Sequence, residues 1–138
     1  MPDPLLVDTC AAIWILEDGP LSPASITALD TAFDQGLATF VSTVTAWEIG
    51  MLLSKGRLTM RRNALSSYRM LLDDAGMTEH AMTPEILIAS SNLPGTPPRD
   101  SFDRIVVATA RTSRLTILTR DRLILGYAEA GHVAAIAC

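Results

Sequence analysis

Apolar residues in this chain fall into short unbroken runs separated by longer stretches at helical spacing. LLVD (5–8) reads as a short buried strand, and LATFVS (37–42), RLTILTR (114–120) and HVAAIA (132–137) as further strands, apolar without a period of two, with MTEHAMT (77–83) a weaker fifth. The first strand runs straight into a helix, TCAAIWILE. Ser22 is placed to cap the next helix, with Pro23 at its first position and Gly36 closing it. TVTAWEIGMLLSKG follows the second strand and ends near Gly56. Residues 60–76 read as an amphipathic helix with Leu65, Tyr68, Leu71 and Leu72 on one stripe. Thr83 and Pro84 form a second cap-and-first-position pair, for EILIASSNL. PGTPPR (94–99) is a loop, followed by the helix SFDRIVVATARTS and, after the fourth strand, the short helix RLILGYAEAG.

Strands that alternate with helices, and are apolar on both faces, predict a parallel sheet covered on each side. Right-handed crossovers would make it a doubly wound α/β domain. A chain of 138 residues favours one such domain over 1–138. Ligand sites in such sheets form at the carboxyl ends of the strands, near the switch in strand order.

Composition narrows the picture. The hydrophobic fraction of 49% excludes disorder, and 5% aromatics require an aliphatic core. A net charge of −4 argues against an extended basic nucleic-acid surface. Yet every Lys and Arg lies between Lys55 and Arg122, and all but Lys55 are Arg, the better phosphate clamp. Cys10 and Cys138 have neither zinc-ligand spacing nor a disulfide-scaffold pattern. No signal-peptide pattern and no membrane-length apolar run occurs, so the expectation is a protein of a reducing cytoplasm.

Candidate chemistry rests on acidic residues. Asp8 closes the first strand, Glu48 follows the second, Asp103 opens the helix after the loop, and Asp121 ends the fourth strand. Each has an innocent reading. Asp8 and Asp121 can cap the helices after them, each worth about 1 kcal/mol. Glu48 fits a capping box with Thr45, although the helix rhythm starting near Ser42 or Thr43 would instead stack it with Val44, Met51 and Leu52. Asp100 can cap a helix holding Asp103 in its first turn. But Asp103 shares a face with Val106, Val107 and Ala110, and adjacent Arg104 points away from it. The predicted topology can bring all four acids to one edge of the sheet. They would then repel unless neutralised, and all-oxygen donors select Mg²⁺ or Mn²⁺. His80 and His132 read as structural, and neither a nucleophile triad nor a Gly-rich phosphate loop is present.

LLVDTCAAIWIL, FVSTVTAWEIGML, RDSFDRIVVATAR and LTILTRD, in this order and spacing, resemble the motifs of PIN-domain ribonucleases, most closely the VapC toxins of bacterial toxin–antitoxin pairs. The resemblance implies a three-layer α/β/α fold with a central parallel sheet and Mg²⁺-dependent cleavage of RNA. It puts the acidic quartet on Asp8, Glu48, Asp103 and Asp121, with Asp8 and Asp103 the principal metal ligands. Asp103 is chosen over Asp100 because the family's aspartate directly precedes the RIVVATA-type helix core. Asp100 would support the site, Thr9 and Thr119 match hydroxyl positions beside it, and Ser101 stands where relatives often carry Pro. Arg104, with Arg99, Arg120 and Arg122, is placed to hold flanking phosphates. Homodimerisation and a VapB-type antitoxin that blocks the groove are implied too; residues 55–70 are placed to join the groove or dimer surface, although the stripe of Leu65, Tyr68 and Leu72 reads more readily as plain core.

Two rivals remain at this level. One is a metal-dependent phosphatase or phosphoacceptor using Asp8, although position 10 is Cys rather than Asp and the only lysine is Lys55. The other is a non-catalytic interaction module in which every acid is a cap.

Overall fold

All strand pairings in the computed structural model, which describes residues 2–138, are parallel. The strands are β1 (Leu5–Val7), β2 (Thr39–Ser42), β3 (Thr78–His80), β4 (Thr116–Thr119) and β5 (Ala134–Ala137), in the spatial order β3-β2-β1-β4-β5. Between them run α1 (Thr9–Leu16), α2 (Pro23–Asp34), α3 (Thr43–Ser54), α4 (Ala64–Asp73), α5 (Pro84–Ser90), α6 (Ser101–Ser113) and α7 (Arg122–Glu129). The chain order reverses direction across the sheet between β1 and β4, so a crevice opens beyond their carboxyl ends.

Successive side chains of a strand point to opposite faces, and here both directions are apolar. Leu6 and Ile117 join Val44, Ile86, Val106, Val107, Ile124 and Tyr127 in one core, covered by α3, α5, α6 and α7. Val7, Val41 and Leu118 join Ala11, Ala12, Tyr68 and Leu71 in the other, beneath α1 and α4. Two covered faces make the three layers, α/β/α, that the unbroken apolar runs predicted. Each fully buried Leu, Ile or Val adds roughly 1.5–3 kcal/mol.

Helix starts follow the polar signals. Ser22 accepts from Ser25 N at 3.1 Å with Pro23 just inside, and Thr83 accepts from Ile86 N at 3.3 Å with Pro84 likewise. Ser42 caps α3, accepting from Val44 N at 3.1 Å; Thr45 therefore lies inside the helix and Glu48 is not its capping partner. At the other end of α3, Gly56 at φ +68 accommodates the left-handed turn in which Arg57 N returns to Leu52 O. One expectation needs correcting. The fourth helix begins at Ala64 rather than Met60, because Asn63 takes the cap, accepting from Ser66 N at 2.8 Å. That start leaves Leu65 exposed, while Tyr68 and Leu71 are buried.

Candidate active site

The crevice between β1 and β4 is lined by Asp8, Thr9, Cys10, Glu48, Asp100, Asp103, Val106 and Asp121 around a cavity of about 210 Å³. Asp8 enters from the end of β1, Asp121 from just beyond β4, Glu48 from the second turn of α3, and Asp103 from the first turn of α6. The topology thus draws together acids spread over 113 residues of sequence, as Asp121 minus Asp8. A larger hollow of about 450 Å³ lies beside α1 and α4, but Glu17 and Asp18 face Arg61 and Arg62 across it. Mixed charge of that kind creates no demand for a cation, whereas the charged residues of the smaller cavity are all acidic.

Three aspartates are both caps and lining residues. Asp8 is buried, and its Oδ1 accepts from Ala11 N at 2.9 Å, while its Oδ2 accepts from the Thr119 hydroxyl. The Cys10 thiol lies 3.2 and 3.3 Å from the two Asp8 oxygens as a further donor. Asp121 Oδ1 accepts from Leu123 N at 2.8 Å and Ile124 N at 3.1 Å. Asp100 Oδ1 accepts from Asp103 N at 3.0 Å. Thr119 also accepts from Asp121 N at 2.9 Å, so one buried hydroxyl ties two of the acids together. Glu48 and Asp103 cap nothing. Among the described residues no donor reaches the Asp103 carboxyl.

The electrostatics follow from that crowding. Burial pushes the Asp8 carboxyl above its ordinary range, and the bonds from Thr119, Ala11 and Cys10 only partly oppose it. Burial likewise raises Glu48, against a pull from the Thr9 hydroxyl and with a push from Asp100, Asp8 and Asp121. Asp103 is pushed up to about 7, first by burial and then by Asp121, Asp100, Glu48 and Asp8. The Cys10 thiol is pushed up to about 12 by burial and Asp8, so it stands as a neutral donor at neutral pH. No basic side chain lines the cavity.

Not every residue singled out in the sequence reaches it. Thr9 lies on the wall, its hydroxyl 3.0 Å from that of Thr45, whereas Thr119 acts from beneath through Asp8. Arg104 turns away: its guanidinium donates to Ser90 O at 2.9 Å and Pro98 O at 3.3 Å, pinning the 94–99 loop. Arg120 lies over the Trp14 ring, 3.9 Å from the centroid. His80 bonds Ala81 O and Ser113, and His132 stacks on Tyr127 at 4.7 Å, both away from the acids. Cys10 is the lining residue that sequence reasoning passed over. The signal was its position in the first turn after Asp8, where a side chain can fold back on the cap.

As donors, the acids suit a hard divalent cation: carboxylate oxygens, an excess of negative charge, and Asp103 without a hydrogen-bond partner. Among the described residues no three His, Cys, Asp or Glu side chains already stand at mutual ligand spacing. Closing on an ion therefore requires side-chain rotation, for which Glu48 and Asp103, bound to no amide, are free.

The family described as PIN domain matches residues 5–129. No curated protein matches the chain. Among solved structures, VapBC2 from Rickettsia felis, bound to a DNA fragment from its promoter, is similar with TM-score 0.70 at 11% identity, covering 97% of this chain and 98% of that one. DNA-bound VapBC from Salmonella typhimurium gives TM-score 0.66 at 12% identity, covering 99% and 98%. FitAcB from Neisseria gonorrhoeae gives TM-score 0.55 at 19% identity, covering 96% of each chain.

Proposed function

The chain belongs to the PIN-domain family, and from that premise we propose that it is a divalent-cation-dependent endoribonuclease, the toxin of a VapBC-type pair. The observation that carries this reading is the set of four acids, Asp8, Glu48, Asp103 and Asp121, lining one cavity that no basic side chain enters. Such a pocket is unfavourable for an isolated protein, because it gathers negative charge with no basic side chain to offset it. It becomes favourable when an ion occupies it.

Asp8 and Asp103 would hold the ion, Mg²⁺ with Mn²⁺ as a substitute, and Glu48 and Asp121 would complete the pocket directly or through water. When bound, the ion supplies Lewis acidity that makes water a competent nucleophile at neutral pH and offsets charge building on the phosphate. The protein's own part is orientation. Asp8 is held by the Ala11 amide and the Thr119 hydroxyl, which fix the plane of its carboxylate. Asp121 is fixed by two helix amides, with Oδ2 left for other partners. Asp103, near neutrality in its ionisation, gives up its proton when positive charge arrives and takes one when it leaves. An acidic protein can approach a polyanion by this route. The likeness to VapBC and FitAcB supports a cognate antitoxin partner, and the family resemblance a homodimer.

The phosphoacceptor alternative fares worse: both Asp8 oxygens already accept hydrogen bonds, and Lys55 does not line the cavity. The cap-only alternative accounts for Asp8, Asp100 and Asp121 but leaves Glu48 and Asp103 unexplained. The deciding experiment is an RNA cleavage assay with Mg²⁺, with EDTA, and with Asp103→Asn. Cleavage that needs the metal and Asp103 is expected. Full activity of Asp103→Asn, or of the EDTA-treated chain, would refute the site.

A further inference from the structure

Resting on that nuclease reading, we infer that the segment from Lys55 to Arg69 is a cationic track for the sugar-phosphate backbone of the RNA strand that leads to the acidic pocket. Five of the 11 basic residues, Lys55, Arg57, Arg61, Arg62 and Arg69, fall between Glu48 and Asp73, and none of the 15 acidic residues does. All five are exposed. Among the described residues no hydrogen bond engages any of their side chains. The other six basic residues are arginines in a different setting. Arg104, Arg111 and Arg120 donate to backbone carbonyls. Arg99 and Arg122 each adjoin a cavity acid in sequence, and Arg114 shares a hollow with Asp3. Clustered and unengaged charge is what distinguishes the five.

Two helices join the track to the pocket. Asp8 caps α1 and Glu48 lies in the second turn of α3, so both helices start at the cavity. They run for 8 and 12 residues, about 12 and 18 Å, and both pack against α4. Beyond them residues 59–62 and the end of α1 enclose the hollow of about 450 Å³. Lys55, the C-cap of α3, comes seven residues after Glu48, as 55 minus 48. At about 100° per residue that returns it to the face of Glu48, about 10 Å further along. A lysine at a helix carboxyl end is favoured by the dipole without any function. That reading stops at Lys55, because Arg57, Arg61 and Arg62 lie between the helices and Arg69 within α4. Glu17 and Asp18 across the hollow set two acids against the five cations. The partner that fits is a polyanion. The chain carries −4 overall and its pocket no basic side chain, so phosphates flanking the cleaved one need cations from elsewhere. Lys and Arg hold phosphate whatever the base sequence. A second copy offering the same segment would bring like charges together.

The test uses the full chain and a labelled single-stranded oligouridylate, with EDTA present so that metal-dependent cleavage is off and no divalent cation competes for phosphate. Anisotropy across a KCl series gives the slope of log Kd against log salt. A Lys55→Gln, Arg57→Gln chain and an Arg61→Gln, Arg62→Gln chain should each lower the magnitude of that slope by about 1.4, about 0.7 for each lost phosphate contact on a single strand. With Mg²⁺ restored, both should show a raised KM and little change in kcat. Arg114→Gln, which removes a charge outside the track, should leave the slope as it is. An unchanged slope in either double variant, or no binding of the oligonucleotide at low salt, overturns the track. So does an equal fall in Arg114→Gln, which would reduce the effect to net charge. Tighter binding of an oligoglutamate of equal charge overturns the RNA occupant and assigns the segment to an acidic peptide. A change in particle mass of either double variant, measured by light scattering, overturns it in favour of a second copy. The expected loss of slope in a chain that cuts no RNA with any divalent ion would fail the nuclease reading and uphold the track.

Discussion

At the amino end of the sheet a hollow of about 360 Å³ sets Asp3 among Arg111, Arg114 and His132, with Arg111 donating to the His132 carbonyl. At the carboxyl end, Asp8, Glu48, Asp100, Asp103 and Asp121 share a smaller cavity with no basic side chain. The strands are parallel, so both ends belong to the same five backbones, with α1, α3 and α7 starting at the carboxyl end. One end mixes acidic and basic side chains. The other gathers five carboxyl groups, and Asp103 is pushed up to about 7, first by burial and then by Asp121, Asp100, Glu48 and Asp8. Asp8, Asp100 and Asp121 serve the fold as caps, but Glu48 and Asp103 add negative charge that only a ligand would offset, and the carboxyl end is where parallel sheets place ligands.

The largest expected effect breaks this contrast at Asp103. Asp103→Asn should lower RNA cleavage on the order of 10²-fold or more, by removing a carboxylate that would hold the ion. Its metal-free melting temperature should rise, because one repelling charge is gone. A falling melting temperature would mean that Asp103 already has a stabilising partner. Next comes the ion itself. Mg²⁺ at a hundredfold excess over its Kd should add about 2.7 kcal/mol of stability to the native chain, seen as a higher melting temperature that Asp103→Asn does not share. No shift in the native chain would leave the carboxyl end as a set of helix caps.

Proton binding sharpens the comparison further. Asp103 sits at about 7 in the folded chain against an ordinary 3.8, so between those values the folded chain holds a proton that the unfolded chain has released. Stability without metal should therefore be greatest below about pH 4 as far as this group is concerned and fall as pH rises through 7. Asp8 and Glu48, raised in the same direction, add to the slope. Melting curves across that window with EDTA should show the decline, and saturating Mg²⁺ should flatten it. The smallest effect belongs to the amino end. Arg111→Met should cost about 1 kcal/mol by losing its bond to the His132 carbonyl, and should leave cleavage intact. Lost cleavage in a folded Arg111→Met chain would show that the two ends are coupled.

Much of this was legible in the residues. Ser22-Pro23 and Thr83-Pro84 placed two helix starts because capping and proline geometry act within three residues. The helix 101–113 was readable in full, since an aspartate cap opens it and an apolar face runs through it. Asn63 was an equally local signal, and residues 60–62 stay outside the helix that it caps. The acids were legible as candidates, but cap or ligand could not be separated by sequence, for a physical reason: Asp8, Asp100 and Asp121 are caps that also line the cavity. What stayed hidden was long-range. That Arg104 would reach back to Ser90 and Pro98, or that Trp47 would meet Phe102 across 55 residues, 102 minus 47, depends on how α3, α5 and α6 pack. No local pattern encodes it.

The capping bond of Asp121 offers a practical handle. Its two helix amides rest on Oδ1, and Oδ2 accepts none. An asparagine there can keep its carbonyl oxygen where Oδ1 now sits and turn a neutral NH₂ toward the cavity, whereas an alanine would fray α7 and remove the charge together. On the proposed reading that isosteric swap removes activity and leaves the helix untouched, giving a form of the protein for raising antibodies or capturing whatever binds it.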